Sequence, residues 1–214
     1  MPKTSRLGKK EATRERIVQS TFTLLMSEGL QGLSMNKISK AAGIAQPSFY
    51  NHYASVDALI IDVRETLKAR YLPSLQEKFV AIANELKQGD QHDIRTLSQR
   101  YLEINMTVLL KNVPLFRIIL ADYHHPDNPA KGELGQIISD INQSWVELIR
   151  RLANANGIPI KDAPLQLYVD SISALVHSLV LGVADGKYTQ EVAVASVALM
   201  SQSLITEFTN ASTA

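Results

Sequence analysis

The chain contains no cysteine among its 214 residues. That excludes a disulfide framework and any thiolate zinc site, and it fits a reducing, cytoplasmic setting. A long apolar run is also missing. The longest nearly apolar stretch, residues 174–184, is interrupted by His177 and Ser178 and falls short of the ~20 residues that span a bilayer, so no membrane association is expected. Residues 1–10 are polar and basic and lack the apolar segment of a secretory signal. No strand-like alternation persists, and no repeat recurs at a fixed period. The signatures of common catalytic sites are absent too: there is no glycine-rich phosphate loop, no nucleophile elbow and no His-Glu-x-x-His. His92-Asp93 supplies one element of the helical metal-phosphohydrolase pattern without the others. Asp122, His124, His125 and Asp127 read as a solvated turn rather than a metal cluster. No enzymatic activity, cofactor or metal is expected.

What is present is an apolar content of 45%, enough for a real core, and a net charge of only +1 that is unevenly spread. Residues 1–52 hold eight Lys or Arg against three Glu, a local charge of +5, which leaves −4 on the remainder. A basic head on an acidic body is the charge footprint of a module whose head meets a polyanion.

Helical spacing recurs throughout. Ile17, Thr21, Leu24 and Leu25 mark one face of an amphipathic helix over residues 11–28, stopped by Gly29. Ser34 is a good N-cap for a second helix over residues 35–42, and Gly43 breaks the chain. A short third helix tolerates Pro47 in its first turn. Ser55 caps a fourth helix carrying Val56, Leu59, Ile60, Val63 and Leu67, and Pro73 ends or kinks it. Further helices are expected at residues 74–87, 93–110, 114–123, 131–156, 164–184 and 189–210. The fold class is therefore all-α: an N-terminal three-helix domain over residues 1–54, and a helical body over residues 55–214.

Residues 38–53 meet the steric demands of a helix-turn-helix. Gly43 supplies the positive φ of the turn. Ala42 is small where the helices touch, and Ile38, Ile44 and Phe49 are spaced to plug the angle between them. The second helix then shows polar side chains to a major groove.

These residues resemble the DNA-binding domain of TetR-family regulators. The likeness runs from Glu28-Gly29, through Ile38-Ser39-Lys40-Ala41-Ala42-Gly43-Ile44, to the aromatic-rich Phe49-Tyr50-Asn51-His52-Tyr53, with Asp57 and Leu59 following. It departs from the family pattern at Ala45, Pro47 and Val56, where a Ser or Thr, a Gly and a Lys are usual. The wording of residues 42–59, and more faintly of residues 112–120, is most similar to the subgroup that represses unsaturated fatty-acid biosynthesis. The resemblance implies a homodimeric repressor that binds double-stranded DNA at a palindromic operator and responds to a small apolar effector, such as a fatty acyl ligand. The alternative is an all-α enzyme or lipid-binding protein without specific DNA binding.

Chemistry and likeness together assign roles. Gln46, Ser48 and Asn51 are candidates for base edges. Ser34, Lys37, Tyr50, His52 and Arg14 are candidates for phosphate oxygens, with Thr13, Arg6, Lys9 and Lys10 nearby. Phe49 and Tyr53 belong to the core. Candidate walls of an effector pocket are Tyr101, Met106, Leu109, Phe116, Ile119, Trp145, Leu148, Tyr168 and His177. The small residues Ala174, Ser178, Gly182, Ala195 and Ala198 permit close helix approach in a four-helix dimer interface.

Overall fold

The computed structural model describes residues 6–88, 94–124, 132–155, 157 and 160–213. Lys3, His92, Asp93, His125 and Asp127 lie outside the described residues, as does the side chain of Arg6. Among the described residues the chain is helical, with no strand. The helices are α1 (Arg6–Glu28), α2 (Met35–Ala41), α3 (Gln46–Tyr50), α4 (Val56–Gln88), α5 (Ile94–Leu110), α6 (Val113–Tyr123), α7 (Gln136–Ala155), α8 (Asp162–Ala184) and α9 (Gln190–Thr213), with a 3-10 turn at Leu30–Gly32 between α1 and α2. The all-α expectation holds. Boundaries shift at α1, which begins at Arg6 rather than residue 11, and at α7, which begins at Gln136 rather than residue 131. The largest difference is Pro73, which does not end the fourth helix but sits inside it, so the two helices expected on either side of it are one. Proline removes a single N–H donor, and packing on both sides of it sustains the helix.

The chain forms two compact units, Met1–Ala69 with Pro114–Ile137, and Arg70–Val113 with Ile138–Ala214. Helix α4 contributes residues 56–69 to the first and 70–88 to the second. In the first unit, α1 packs on α2 and α2 on α3. Ile17, Leu25, Ile38, Phe49, Leu59 and Val63 are fully buried in it, at the positions the helical spacing predicts. Thr21 is buried as well, and its hydroxyl is satisfied by donating to the Ile17 carbonyl at 2.8 Å. Asp122 is buried and accepts from the Gly135 N–H at 2.7 Å. A Cβ on Gly135 would lie 2.4 Å from the Tyr123 backbone nitrogen, so only glycine lets the chain pass the end of α6 this closely. Asp122 thus works as a local cap, and no group of three or more metal-ligating side chains occurs among the described residues.

In the second unit, α5 packs on α8 and α9, and α8 on α9. Leu72, Trp145, Val146, Leu148, Leu165 and Val169 form its buried cluster, against which Phe79, Tyr101 and Tyr168 pack. Phe79, Tyr101 and Trp145 meet edge to face, with ring centroids 4.9–5.3 Å apart, the arrangement aromatic quadrupoles favour. Helix α8 is long and apolar enough by length and composition to cross a membrane, as the core helix of a soluble protein also can be. The apolar stretch 174–184 is only its C-terminal part. The helix begins twelve residues earlier, at Asp162, and only Asp162 and Asp170 in it are charged. Leu167 on α8, and Val192, Leu199 and Met200 on α9, are exposed.

Candidate DNA interface and helical body

The helix-turn-helix is assembled by local chemistry. Ser34, in extended conformation, caps α2 by accepting the Lys37 N–H at 3.3 Å. At the other end Gly43 adopts φ +63°. The Ile44 N–H reaches the Ser39 carbonyl at 3.0 Å and the Gly43 N–H the Lys40 carbonyl at 3.2 Å, the paired bonds of a Schellman stop. Ala45 gives α3 no side-chain cap, and Pro47 lies in its first turn, as the sequence leads one to expect. Phe49 and Tyr53, one helical turn apart, are buried with ring centroids 5.8 Å apart. Gln46, Pro47, Tyr50 and Asn51 are exposed, and Ser48 and His52 are half-buried. The helix and the turn after it therefore bury Phe49 and Tyr53 and leave Gln46, Tyr50 and Asn51 facing solvent.

The candidate phosphate contacts are less free than their sequence suggests. The Ser34 hydroxyl is engaged as the cap of α2. Lys37 forms an ion pair with Glu28. Arg14 donates to Asp62 on α4 and to Glu11 at 2.9 Å. The hydrogen bond to Asp62 holds the Arg14 guanidinium firmly protonated, above its ordinary pKa. Tyr53 also donates to Asp62. Burial, reinforced by that bond, pushes the phenol well above its ordinary pKa, so it stays a donor. His52 is held below the ordinary imidazole value of 6.5, first by burial and then by the nearby Lys10 and Arg14 cations, with Glu11 opposing. Thr13 bonds back to the Lys9 carbonyl at 3.0 Å, while Lys9 and Lys10 are exposed. Sequence reasoning missed Asp62 and Glu28. Each is one carboxylate on an amphipathic helix, and nothing in its spacing signals a partner on another helix.

The candidate pocket residues divide between the two units. Tyr101, Met106, Leu109, Trp145, Tyr168 and His177 belong to the second, Phe116 and Ile119 to the first. Tyr101, Trp145 and Tyr168 share the buried cluster of the second unit. Its interior carries neutral polar points. Tyr101 accepts from Asn105 at 2.9 Å, and Tyr168 shares a 2.6 Å bond with Ser201, which Ser98 approaches at 3.4 Å. Burial raises the pKa of both phenols, so both are neutral. His177 pairs with Ser173 at 3.3 Å.

Residues 17–63 match the family model of bacterial regulatory proteins of the tetR family. That segment covers the second half of α1, all of α2 and α3, and the start of α4. The whole fold is similar to solved regulator structures. A TetR family transcription regulator from Marinobacter aquaeolei matches with a TM-score of 0.59 and 17% identity, over 90% of this chain and 96% of that one. A transcriptional regulator FadR from Bacillus subtilis, in complex with stearoyl-CoA, matches at 0.62 and 12%, over 87% and 96%. Thermus thermophilus FadR, a TetR family transcriptional repressor in complex with lauroyl-CoA, matches at 0.54 and 20%, over 91% and 93%. The class these findings define is a TetR-type helix-turn-helix carried on a TetR-type all-α fold.

Proposed function

We propose that this chain is a sequence-specific DNA-binding transcription regulator, a repressor that works as a homodimer and is controlled by a small apolar effector. The observation that carries the reading is α3, whose polar side faces solvent on a helix-turn-helix anchored from behind by Phe49 and Tyr53. Gln46, Ser48 and Asn51 read base edges. Tyr50, His52, Lys37 and Ser34 meet phosphates, Lys37 after leaving Glu28. Residues 1–54 act as the reading domain and residues 55–214 as the part that dimerises and senses.

One recognition helix covers few base pairs, so useful specificity needs two readers and a palindromic operator. The exposed apolar residues Leu167, Val192, Leu199 and Met200 on α8 and α9 supply a surface for a second copy. The helix pair then becomes a four-helix bundle. Because α4 runs unbroken from residues of the reading unit into the body, an effector that displaces it changes the spacing of the two readers. Coupling of this kind is typically 1–3 kcal/mol, about 5–150-fold in affinity.

The effector we assign is a fatty acyl chain, as a thioester or free acid. An aromatic and aliphatic interior with neutral hydroxyl and amide points suits a long apolar chain with one uncharged polar atom. Two proteins of similar fold were solved with acyl-CoA molecules. The likeness of residues 42–59 to the repressors of unsaturated fatty-acid biosynthesis supports the same ligand class.

The test is selection of duplexes from a randomised pool, followed by mobility-shift titration. A single inverted repeat should emerge, and Asn51→Ala should cost about 1–3 kcal/mol at that site while relaxing choice at one base pair. Recovery of no preferred sequence would leave a lipid-binding protein as the better reading.

A further inference from the structure

We propose that Asp62 is a positioning residue for the recognition helix, fixing its attitude by tying both α1 and the end of the reader to α4 through one carboxylate. The inference rests on the assignment of α3 as the DNA reader. Helix α3 is five residues long, and its N-terminus has no side-chain cap. A single turn without a cap has little stability of its own. Its direction is therefore set by what holds it: the packing of α2 and the buried Phe49, and a polar tie just past its end. Tyr53 is buried beside the fully buried Phe49, so the two rings move together. The Tyr53 hydroxyl donates to Oδ2 of Asp62, and the Arg14 guanidinium donates to Oδ1. Asp62 is itself secured on α4, where its backbone carbonyl accepts from Thr66 Oγ1 at 2.8 Å.

The charge arrangement favours this geometry over others. The Asp62 side chain is only 16% exposed, so solvent screens the pair with Arg14 less than it would a surface pair. A carboxylate is acceptor-only and has two oxygens. It can serve both donors at once, which an amide cannot, because an amide offers one acceptor oxygen and turns an NH₂ toward the second donor. Arg14 is accordingly a framework cation in the free protein.

The decisive variant is Asp62→Asn, which preserves shape and removes one acceptor. Affinity is measured for the duplex that the wild-type chain selects from a randomised pool and for a scrambled duplex of equal length. The selected-site affinity should fall about tenfold, the equivalent of one charge-assisted hydrogen bond. The scrambled-site affinity should hold within about twofold or rise, since a released Arg14 can meet phosphate. A merely structural role would lower the melting temperature and reduce both affinities in proportion, and that result would overturn the proposal. If Asp62→Asn does not fold, Tyr53→Phe takes its place, since it keeps the ring and deletes one donor. It should lower the selected-site affinity alone by a smaller factor, and a variant with both affinities intact would sink the idea. Where both variants fold, the double variant should be little worse than Asp62→Asn, because the two changes break one interaction. A wild-type chain that selects no sequence removes the DNA-reading assignment and this inference with it. Normal selection with an unaffected Asp62→Asn removes the inference alone.

Discussion

Lys37 and Glu28 form an ion pair across the turn that joins α1 to α2. The lysine assigned to a phosphate is thus already matched by a carboxylate of its own head, and DNA must exchange one anion for another. Both side chains are substantially exposed, so the pair contributes no more than about 1 kcal/mol, roughly fivefold in affinity. Glu28→Gln should therefore raise affinity for operator and scrambled DNA alike, by up to that factor. Lys37→Gln should weaken both and flatten the dependence of log K on log salt by about 0.9 for each phosphate it no longer neutralises. Titrations at several salt concentrations check both outcomes. An unchanged slope for Lys37→Gln would remove Lys37 from the interface.

A buried hydroxyl offers a stability test in the same helix pair. Ser39 on α2 is 3% exposed, and its Oγ has no hydrogen-bond partner. A buried unpaired hydroxyl costs about 1–3 kcal/mol relative to an apolar group of similar shape, and alanine is also the better helix former. Ser39→Ala should stabilise the protein by on the order of 1 kcal/mol, a rise in Tm of roughly 2–4 °C for a chain of this size. Thermal unfolding followed by circular dichroism measures it. Lowered stability would mean that the hydroxyl has a partner in solution.

The fold was largely legible in the sequence because helix periodicity and stops are local. Ile17, Leu25, Ile38, Phe49, Leu59 and Val63 recur at helical spacing, and all are buried. Gly43 announces the turn, and Ser34 the cap. Pro73 was ambiguous because a missing N–H can end a helix or merely bend it, and only distant packing decides. The candidate reading face was legible for the same local reason, as Gln46 and Asn51 stand away from Phe49 and Tyr53. The carboxylates were not. Asp62 lies 48 residues from Arg14, and pairing at that range depends on how α1 and α4 meet, which no periodicity encodes.

His52 predicts a pH dependence with a definite sign. In the free protein its pKa lies below 6.5, chiefly through burial and next through Lys10. As pH falls below that value the unfolded chain takes the proton first, so this residue's contribution to stability declines through the window between the unfolded and folded pKa. A phosphate beside the ring acts oppositely and favours the imidazolium, so operator binding takes up a proton. Affinity should therefore rise on acidification from pH 7.5 to about 6, and His52→Gln should abolish the rise. A His52→Gln profile that parallels wild type would place the titrating group elsewhere.

The exposed apolar residues of α8 and α9 make dimerisation testable. Leu199 on α9 and Leu167 on α8 are each more than half exposed. In the proposed bundle, Leu199→Glu would place an unpaired charge in an apolar seam. Sedimentation should show a dimer for the wild type and a monomer for the variant. Operator affinity should then collapse to the level of scrambled DNA, because one reader alone lacks specificity. A wild-type monomer with full operator affinity would refute the dimer.

The effector test separates ligand classes by the chemistry of the second unit's interior. Tyr168 and Ser201 share a short hydroxyl bond there, and Tyr101 holds Asn105. All four are neutral, so a buried anion would find no countercharge among them, whereas an ester or thioester carbonyl would find donors. Long-chain acyl thioesters should therefore shift operator affinity at lower concentration than the matching free acids, and planar aromatics should act weakly. The coupling should fall in the range of about 5–150-fold. Tyr168→Phe removes one donor and leaves the ring in place. It should weaken the acyl response by about 0.5–1.5 kcal/mol, roughly 2–13-fold, without altering operator affinity in the absence of ligand. Mobility-shift titrations with a saturated and an unsaturated thioester, the free acids and a planar aromatic provide the comparison. If aromatics shift affinity and no acyl ligand does so by even about twofold, the acyl assignment fails while the switch survives. If nothing shifts it, the body serves only to pair the readers.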